Sequence, residues 1–135
     1  MLGTFQQSHL RIEVEATETV IRDSLLCSAQ FQQWMFPQQF PAGLPDQLQE
    51  GTIFTSRLGP IAVRHQVQKI TPNGLCLLMS QGIDGCHRWS WGEGWIQSCL
   101  EGVSVLPLNL GQTLSLMRLR EFLKNQSQPQ PTKIS

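Results

Sequence analysis

The stretch 51–105 constrains this chain most, because it consists of short β-type runs separated by strong turn signals. Turns of this kind include Gly59-Pro60 and Pro72-Asn73-Gly74, which bring the chain back on itself within a few residues. Consecutive hairpins build an antiparallel sheet. We therefore predict five successive strands, at residues 52–57, 61–70, 75–81, 86–91 and 95–105.

The N-terminal third predicts one further strand and two short helices. Apolar and charged residues alternate over 10–16, which is the pattern of a strand with one solvated face. Thr17 is placed to cap a helix that runs to about Ser28, and Ser28 is placed to cap a second helix that ends before Pro37. The proline-rich stretch 37–50 predicts an irregular connection. Three apolar residues near it are candidates to cover a cavity mouth: Phe36, Phe40 and Leu44.

The last predicted element is a helix over 112–125, which is apolar around much of its circumference. We expect it to be extensively covered and to anchor the core. One broad face carries Leu116, Leu119, Phe122 and Leu123, and a second stripe carries Leu110, Leu114 and Met117. The predicted fold class is thus α+β, with residues 1–125 forming a single domain and 126–135 a disordered polar tail.

Charge and cysteine content exclude several classes of function. The formal net charge is +0, so we expect no nucleic-acid partner. No secretory signal and no membrane-spanning run is recognisable, so we expect no membrane insertion and a cytoplasmic location. In such a compartment Cys27, Cys76, Cys86 and Cys99 would be thiols, and their spacing fits no metal site. We predict neither a metal nor a cofactor.

Strand parity predicts which side chains face inward. If the loop after Gln81 has an odd number of residues, the apolar side chains of two strands gather on one concave face. That face would carry Leu75, Leu77, Met79, His87, Trp89 and Trp91. An odd loop in the preceding hairpin would add Ile61, Val63, His65 and Val67 to the same face.

The element order resembles that of the START-like superfamily, also called SRPBCC, which includes polyketide cyclases and birch-allergen-type proteins. The resemblance rests on residues 17–21 after the first strand, 31–37 after the first helix, and 114–123 in the final helix. It spans roughly residues 5–124 and depends on apolar pattern rather than on diagnostic residues. It implies the helix-grip fold, in which a seven-stranded sheet wraps a long C-terminal helix and leaves a cavity for lipids, polyketides, isoprenoids or pigments. The residue pattern predicts six strands, so we expect either one strand fewer or a bend that divides the run 95–106 or 61–70 into two strands.

Candidate functional residues are the inward-facing ones. The four tryptophans of this tyrosine-free chain are able to stack on an aromatic ligand or to fill the core. His65 and His87 are candidates for proton transfer. The alternative is that both are hydrogen-bonded residues of the core. Arg88 and Arg118 could meet an acidic head group or form pairs with Glu101 or Glu121. The predicted ligand-binding residues are Val63, His65, Val67, Leu77, Met79, Trp89, Trp91, Leu116, Leu119, Phe122 and Leu123.

Three functional hypotheses follow. The first is a protein that binds or carries a small hydrophobic molecule between the sheet and the last helix. The second is an enzyme of polyketide cyclase or dehydratase type, in which His65 or His87 moves a proton. The third is an interaction module with a filled core, whose stripe of Leu110, Leu114 and Met117 packs on a partner or forms a homodimer.

Overall fold

The computed structural model of the chain describes residues 3–35 and 38–127. It has one antiparallel sheet of six strands in the order β1-β6-β5-β4-β3-β2, with β1 and β2 at the edges. The strands are β1 (Thr4–Glu13), β2 (Ile53–Leu58), β3 (Ile61–Thr71), β4 (Gly74–Gln81), β5 (Ile83–Gly92) and β6 (Trp95–Ser104), and the helices are α1 (Glu18–Leu26), α2 (Ser28–Trp34) and α3 (Leu108–Ser127).

The sheet curves around α3, which confirms the α+β class and the helix-grip arrangement. Along the chain, each strand from β2 to β6 pairs with the next through a hairpin, and β6 then pairs with β1 over the full length of both. The long helix α3 contacts β1 and β6 on one side and α1 and α2 on the other. The short helices therefore close the grip opposite the sheet, and the core lies between these layers.

The N-terminal boundaries differ from those predicted. Thr17 caps α1 as expected, since its hydroxyl accepts a hydrogen bond from the Val20 amide. Strand β1 begins six residues earlier than predicted because its first half also pairs with β6. That half is mainly polar, so it shows no alternation of apolar and charged residues from which a strand could be predicted. Ser28 is not the cap of α2: Cys27 occupies that position without a side-chain bond, and the Ser28 hydroxyl donates to the Asp46 carbonyl.

Helix α3 is longer than predicted at both ends. It begins at Leu108, whose amide donates to the side-chain oxygen of Gln6 at 2.9 Å, so a residue distant in sequence satisfies the helix start. It ends at Ser127, and thus includes the first two residues of the predicted tail. The rest of that tail, 128–135, lies outside the described residues.

The two apolar surfaces of α3 have different environments. Leu116, Leu119 and Leu123 are fully buried, as predicted, and Phe122 packs against the same cluster at partial burial. The second stripe is not covered in this chain, which corrects the expectation of extensive cover: Leu110, Leu114 and Met117 are 58%, 48% and 56% exposed. The stripe therefore lies on a part of the helix surface that the described elements leave open to solvent.

Strand register confirms both inward-face predictions but corrects the reason for one. Leu75 lies opposite Trp89 and Leu77 opposite His87, as the odd loop requires. In the preceding hairpin the turn is even, with Thr71 opposite Gly74. A β-bulge at residue 68 then shifts the register by one residue, so that Val67 still lies opposite Leu77.

Candidate functional site

A cavity of about 280 Å³ lies between the concave face of the sheet and the first turns of α3. Its walls are mainly apolar, and β3, β4 and β5 supply its floor through alternate residues that the parity argument assigned to the concave face. It is partly open to solvent, and its more exposed lining residues include Leu58 and Leu114, with Phe40 half-buried. The volume is slightly below the usual range for ligand pockets in proteins, which begins at about 300 Å³.

The predicted ligand-binding residues divide into two groups. Five line the cavity, namely Val63, His65, Leu77, Met79 and Trp89. The other six do not line it, and they pack in the adjoining core: Val67, Trp91, Leu116, Leu119, Phe122 and Leu123. The four of these residues that belong to α3 pack there because the inner face of the helix lies against the neighbouring elements.

The cavity meets α3 through its first three turns instead. The wall there includes Gln112, Leu114 and Ser115, with Arg118 contributing from the next turn. Of the three apolar residues proposed to cover the mouth, Phe40 lines the cavity, with its ring centroid 5.3 Å from that of Phe31. Leu44 packs against the core away from the cavity, and Phe36 lies outside the described residues.

His87 sits at the centre of a buried hydrogen-bonded group. Its Nε2 lies 2.6 Å from the Ser98 hydroxyl, and its ring stacks on Trp89 with centroids 4.4 Å apart. The side-chain amide of Gln112 donates to the same hydroxyl at 2.9 Å and to the carbonyls of Ser98 and Ser8, each at 3.0 Å. These contacts tie β1, β5, β6 and α3 together at one point.

His65 has a similar but simpler environment nearer the edge of the sheet. Its Nε2 lies 2.9 Å from the hydroxyl of Ser56, which is buried on edge strand β2. Its ring stacks on Phe54, the residue directly opposite it in the sheet, with centroids 4.8 Å apart. The other ring nitrogen, Nδ1, is buried and has no hydrogen-bond partner among the described residues.

Both histidines are neutral near pH 7. Desolvation by burial lowers the pKa of His65 to about 4. Desolvation, together with the nearby His65, lowers the pKa of His87 to about 3. Charging either ring would place an ion in an apolar interior without a carboxylate among the described cavity-lining residues to pair with it. Each imidazole can therefore offer one donor and one acceptor.

Three of the polar residues that matter here were missed by sequence reasoning. Ser98 stands between Ile96 and Leu100 on the inward parity of β6, and Gln112 stands one turn before Leu116 on the inward face of α3. A polar residue at a position that periodicity assigns to the core is an available signal, because such a group needs a buried partner. Ser56, at 1% exposure, shows the same signal in β2.

The remaining charged and sulfur-bearing candidates lie elsewhere. Arg88 is on the convex face, where its guanidinium lies 3.9 Å from the Glu101 carboxylate, one of the two pairings that the sequence suggested. All four cysteines are free thiols.

Within 3–35 and 38–127, no group of three or more His, Cys, Asp or Glu side chains is placed to hold a metal ion. None of the described helices has the length and apolar character needed to span a bilayer.

No family model and no curated protein matches this sequence. Solved structures do match, and one is protein CV1439 from Chromobacterium violaceum, with a TM-score of 0.74 at 14% identity over 87% of this chain and 97% of that one. The Aha1 dimer from Colwellia psychrerythraea has a TM-score of 0.67 at 12% identity over 91% and 99%. DynU16, from the dynemicin biosynthetic locus, has a TM-score of 0.67 at 15% identity over 89% of this chain and 48% of that one.

At this level of identity the likeness establishes the fold alone. Element order, sheet topology and these neighbours agree, and the chain has the START-like helix-grip fold.

Proposed function

We propose that this chain binds a small, largely apolar molecule in the cavity between the sheet and α3. The observation that carries the proposal is the cavity of about 280 Å³, which is partly open to solvent and is walled mainly by aliphatic and aromatic side chains. A ligand in an apolar cavity of this size would gain dispersion contacts with the surrounding side chains. Burial of apolar ligand surface would then supply the affinity.

The test combines purification with a matched pair of variants. Native mass spectrometry of the protein taken from its own host should show a bound mass that is lost on denaturation. Met79→Trp would fill the cavity, whereas Leu78→Trp adds the same side chain one residue away on the convex face. We expect Met79→Trp to lose the bound mass and Leu78→Trp to retain it. Bare polypeptide from every growth condition, together with no uptake of lipophilic probes, contradicts the proposal.

A second candidate is an enzyme of polyketide cyclase or dehydratase type. The observation in its favour is that two neutral histidines line the same cavity, and a neutral imidazole can polarise a carbonyl through its N–H. Their lowered pKa values make both rings weak general bases near pH 7, which favours binding over catalysis. If folded His65→Ala and His87→Ala variants turn over an identified ligand at the parental rate, the enzymatic candidate fails.

The third hypothesis keeps one supporting observation, the exposed stripe of Leu110, Leu114 and Met117. We propose this stripe as the contact surface if the chain forms a homodimer. The Colwellia structure at TM-score 0.67 is described as a dimer. Light scattering at high concentration should then show a dimer that the triple substitution to Gln dissociates. A monomer in the unaltered chain contradicts this contact.

The cytoplasmic location remains part of the proposal and agrees with four free thiols.

A further inference from the structure

The orientation of the Gln112 side-chain amide is fixed by its surroundings. Its Nε2 lies within 3.0 Å of the carbonyl oxygens of Ser8 and Ser98, which can only accept hydrogen bonds. The reversed amide would place an oxygen against both carbonyls, so the nitrogen must face them. The amide oxygen, Oε1, is consequently left buried with no donor among the described residues. It is an unused acceptor on a residue that lines the cavity.

The same hydrogen bonds set the tautomer of His87. The Ser98 hydroxyl accepts from Gln112 Nε2, and its own proton then needs an acceptor inside the protein. His87 Nε2, at 2.6 Å, supplies that acceptor. The ring proton of a neutral His87 therefore sits on Nδ1, which makes no hydrogen bond to the described residues and is available as a donor.

Trp89 adds a second unused donor beside these groups. It lies directly opposite Ser98 in the sheet, stacks on His87, and lines the cavity. Its indole N–H is buried and has no acceptor among the described residues. Leaving buried donors and acceptors unpaired is costly. The inner polar cluster, defined as His87, Trp89, Ser98 and Gln112, thus contains one buried acceptor and one buried donor without partners, on residues that line the cavity, and His87 Nδ1 adds a second donor.

The charge of the cavity restricts the ligand further. The titratable residues among its described lining are His65 and His87, both neutral, and Arg118 near the mouth. An anionic group at the inner polar cluster would lose its hydration, meet the Gln112 oxygen, and find no buried cation beside it. A cationic group would find no carboxylate there. An uncharged group avoids both penalties.

Resting on the proposed function, we infer that the ligand is an uncharged apolar molecule whose polar end both donates and accepts hydrogen bonds, such as an alcohol, a phenol or a primary or secondary amide. Its donor would pair with Gln112 Oε1, and its acceptor would pair with an N–H of Trp89 or His87. The juxtaposition that carries the inference is an unpaired amide oxygen and an unpaired indole N–H on two residues that line the same apolar cavity.

Four probes of nearly equal size test this inference by calorimetry or tryptophan quenching at pH 7. They are 2-naphthol, 2-methoxynaphthalene, 2-methylnaphthalene and 2-naphthoate, and each affinity is corrected for the partition of the probe from water into octanol. We expect 2-naphthol to bind about fivefold more tightly than 2-methoxynaphthalene, which cannot donate. We expect 2-naphthoate to bind at least about tenfold more weakly than 2-naphthol.

Matched variants assign the preference to the inner polar cluster. Gln112→Met should remove the advantage of 2-naphthol over 2-methoxynaphthalene, whereas Gln126→Met, the same change at an exposed site of α3, should retain it. Trp89→Phe, with Trp95→Phe on β6 as control, should remove the advantage of 2-methoxynaphthalene over 2-methylnaphthalene. It serves as an independent variant if Gln112→Met does not fold.

The outcomes separate the two proposals. Equal corrected affinities for all neutral probes, or tightest binding of 2-naphthoate, would overturn the inference and leave the proposed function standing. Binding of none of the four probes would count against the proposed function itself.

Discussion

Two histidines face the same cavity from different parts of the sheet, and their immediate environments are alike. In each case Nε2 lies close to the hydroxyl of a buried serine on the neighbouring strand, at 2.9 Å for His65 and Ser56 and at 2.6 Å for His87 and Ser98. Each ring also stacks on an aromatic side chain, Phe54 or Trp89. Burial keeps both rings neutral.

The two sites differ in what holds the serine. Ser98 lies on β6, which is paired on both sides, and receives a further hydrogen bond from Gln112 of α3. Ser56 lies on edge strand β2, and its histidine is its one side-chain partner among the described residues. The pair of His87 and Ser98 is therefore held in place by a helix as well as by the sheet. The pair of His65 and Ser56, at the edge, is held by the strands alone.

Deletion of Gln68 should have the largest effect, and it should act on the His65 site. Without the bulge residue, Val67, His65 and Val63 would turn to the convex face unless the hairpin rearranged. We expect a loss of more than about 3 kcal/mol in the free energy of unfolding, since two buried valines are involved. Urea denaturation followed by circular dichroism measures it.

The matched control for the deletion is Gln68→Ala, which keeps the residue count. It should change the free energy of unfolding by no more than about 0.5 kcal/mol because Gln68 is exposed. A deletion variant as stable as the parent would show that register at the edge does not depend on the bulge.

Acid should produce the next largest effect, through both sites together. The unfolded chain takes up protons on these histidines below about pH 6.5, whereas the folded pKa values are about 4 for His65 and about 3 for His87. Stability is therefore fully present above pH 6.5 and declines as the pH falls, by about 1.4 kcal/mol per pH unit for each histidine. Between pH 6.5 and 5 the two should cost about 3 kcal/mol in total, since the full slope is reached only below about pH 6.

Single variants would divide this acid effect between the sites. His65→Gln and His87→Gln should each remove about half of the pH slope, as measured by urea unfolding at pH 7, 6 and 5. Between pH 4 and 3 the contribution of His87 alone should continue to grow. If the variant that carries both His65→Gln and His87→Gln kept the parental dependence of stability on pH, the two rings would not be buried in the neutral form.

Removal of the central serine should come third in size. Ser98→Ala takes away the partner of His87 Nε2 and one partner of Gln112 in a fully buried site. We expect the free energy of unfolding to fall by about 2–3 kcal/mol. Thermal and urea unfolding of the variant at pH 7 provide the measurement, and retention of parental stability would mean that the helix does not hold this site.

Removal of the edge serine should have the smallest effect. Ser56→Ala removes a single hydrogen bond, so we expect a fall of about 1 kcal/mol in the free energy of unfolding, measured in the same way. The difference in free energy of unfolding between Ser98→Ala and Ser56→Ala is the most direct test of how the two histidine sites differ. Equal losses would indicate that Gln112 adds nothing to the central site.

Much of the concave face could be predicted because strand periodicity is a local property. The apolar alternation in β4 and β5 assigned Leu77, Met79 and Trp89 to one face, and the observed register agrees. The β3 face was also assigned correctly, although the bulge at residue 68 rather than an odd turn produces it. Bulges of this kind leave little trace in the pattern of a single sequence, since they depend on the partner strand.

Which inward-facing residues pack in the core and which line the cavity could not be predicted in the same way. Leu116 and Leu119 have the same apolar character as Leu77 and Met79, yet the former pack in the core and the latter line a void. Periodicity identifies an inward face but not the distance to the layer opposite, which depends on how the sheet curves around α3.

The sequence by itself determined the order of the elements and the inward faces of β4 and β5, because hydrophobic periodicity, caps and turns act over a few residues. The helix-grip architecture was expected from the resemblance of that order to the START-like superfamily. The tertiary structure alone decided where the void lies and which polar atoms reach it. Gln112 meets Ser8 and Ser98, and the hydrogen bonds that leave its oxygen unpaired join residues about a hundred positions apart in one case and 14 in the other. Contacts between distant segments arise only when the sheet closes around the helix.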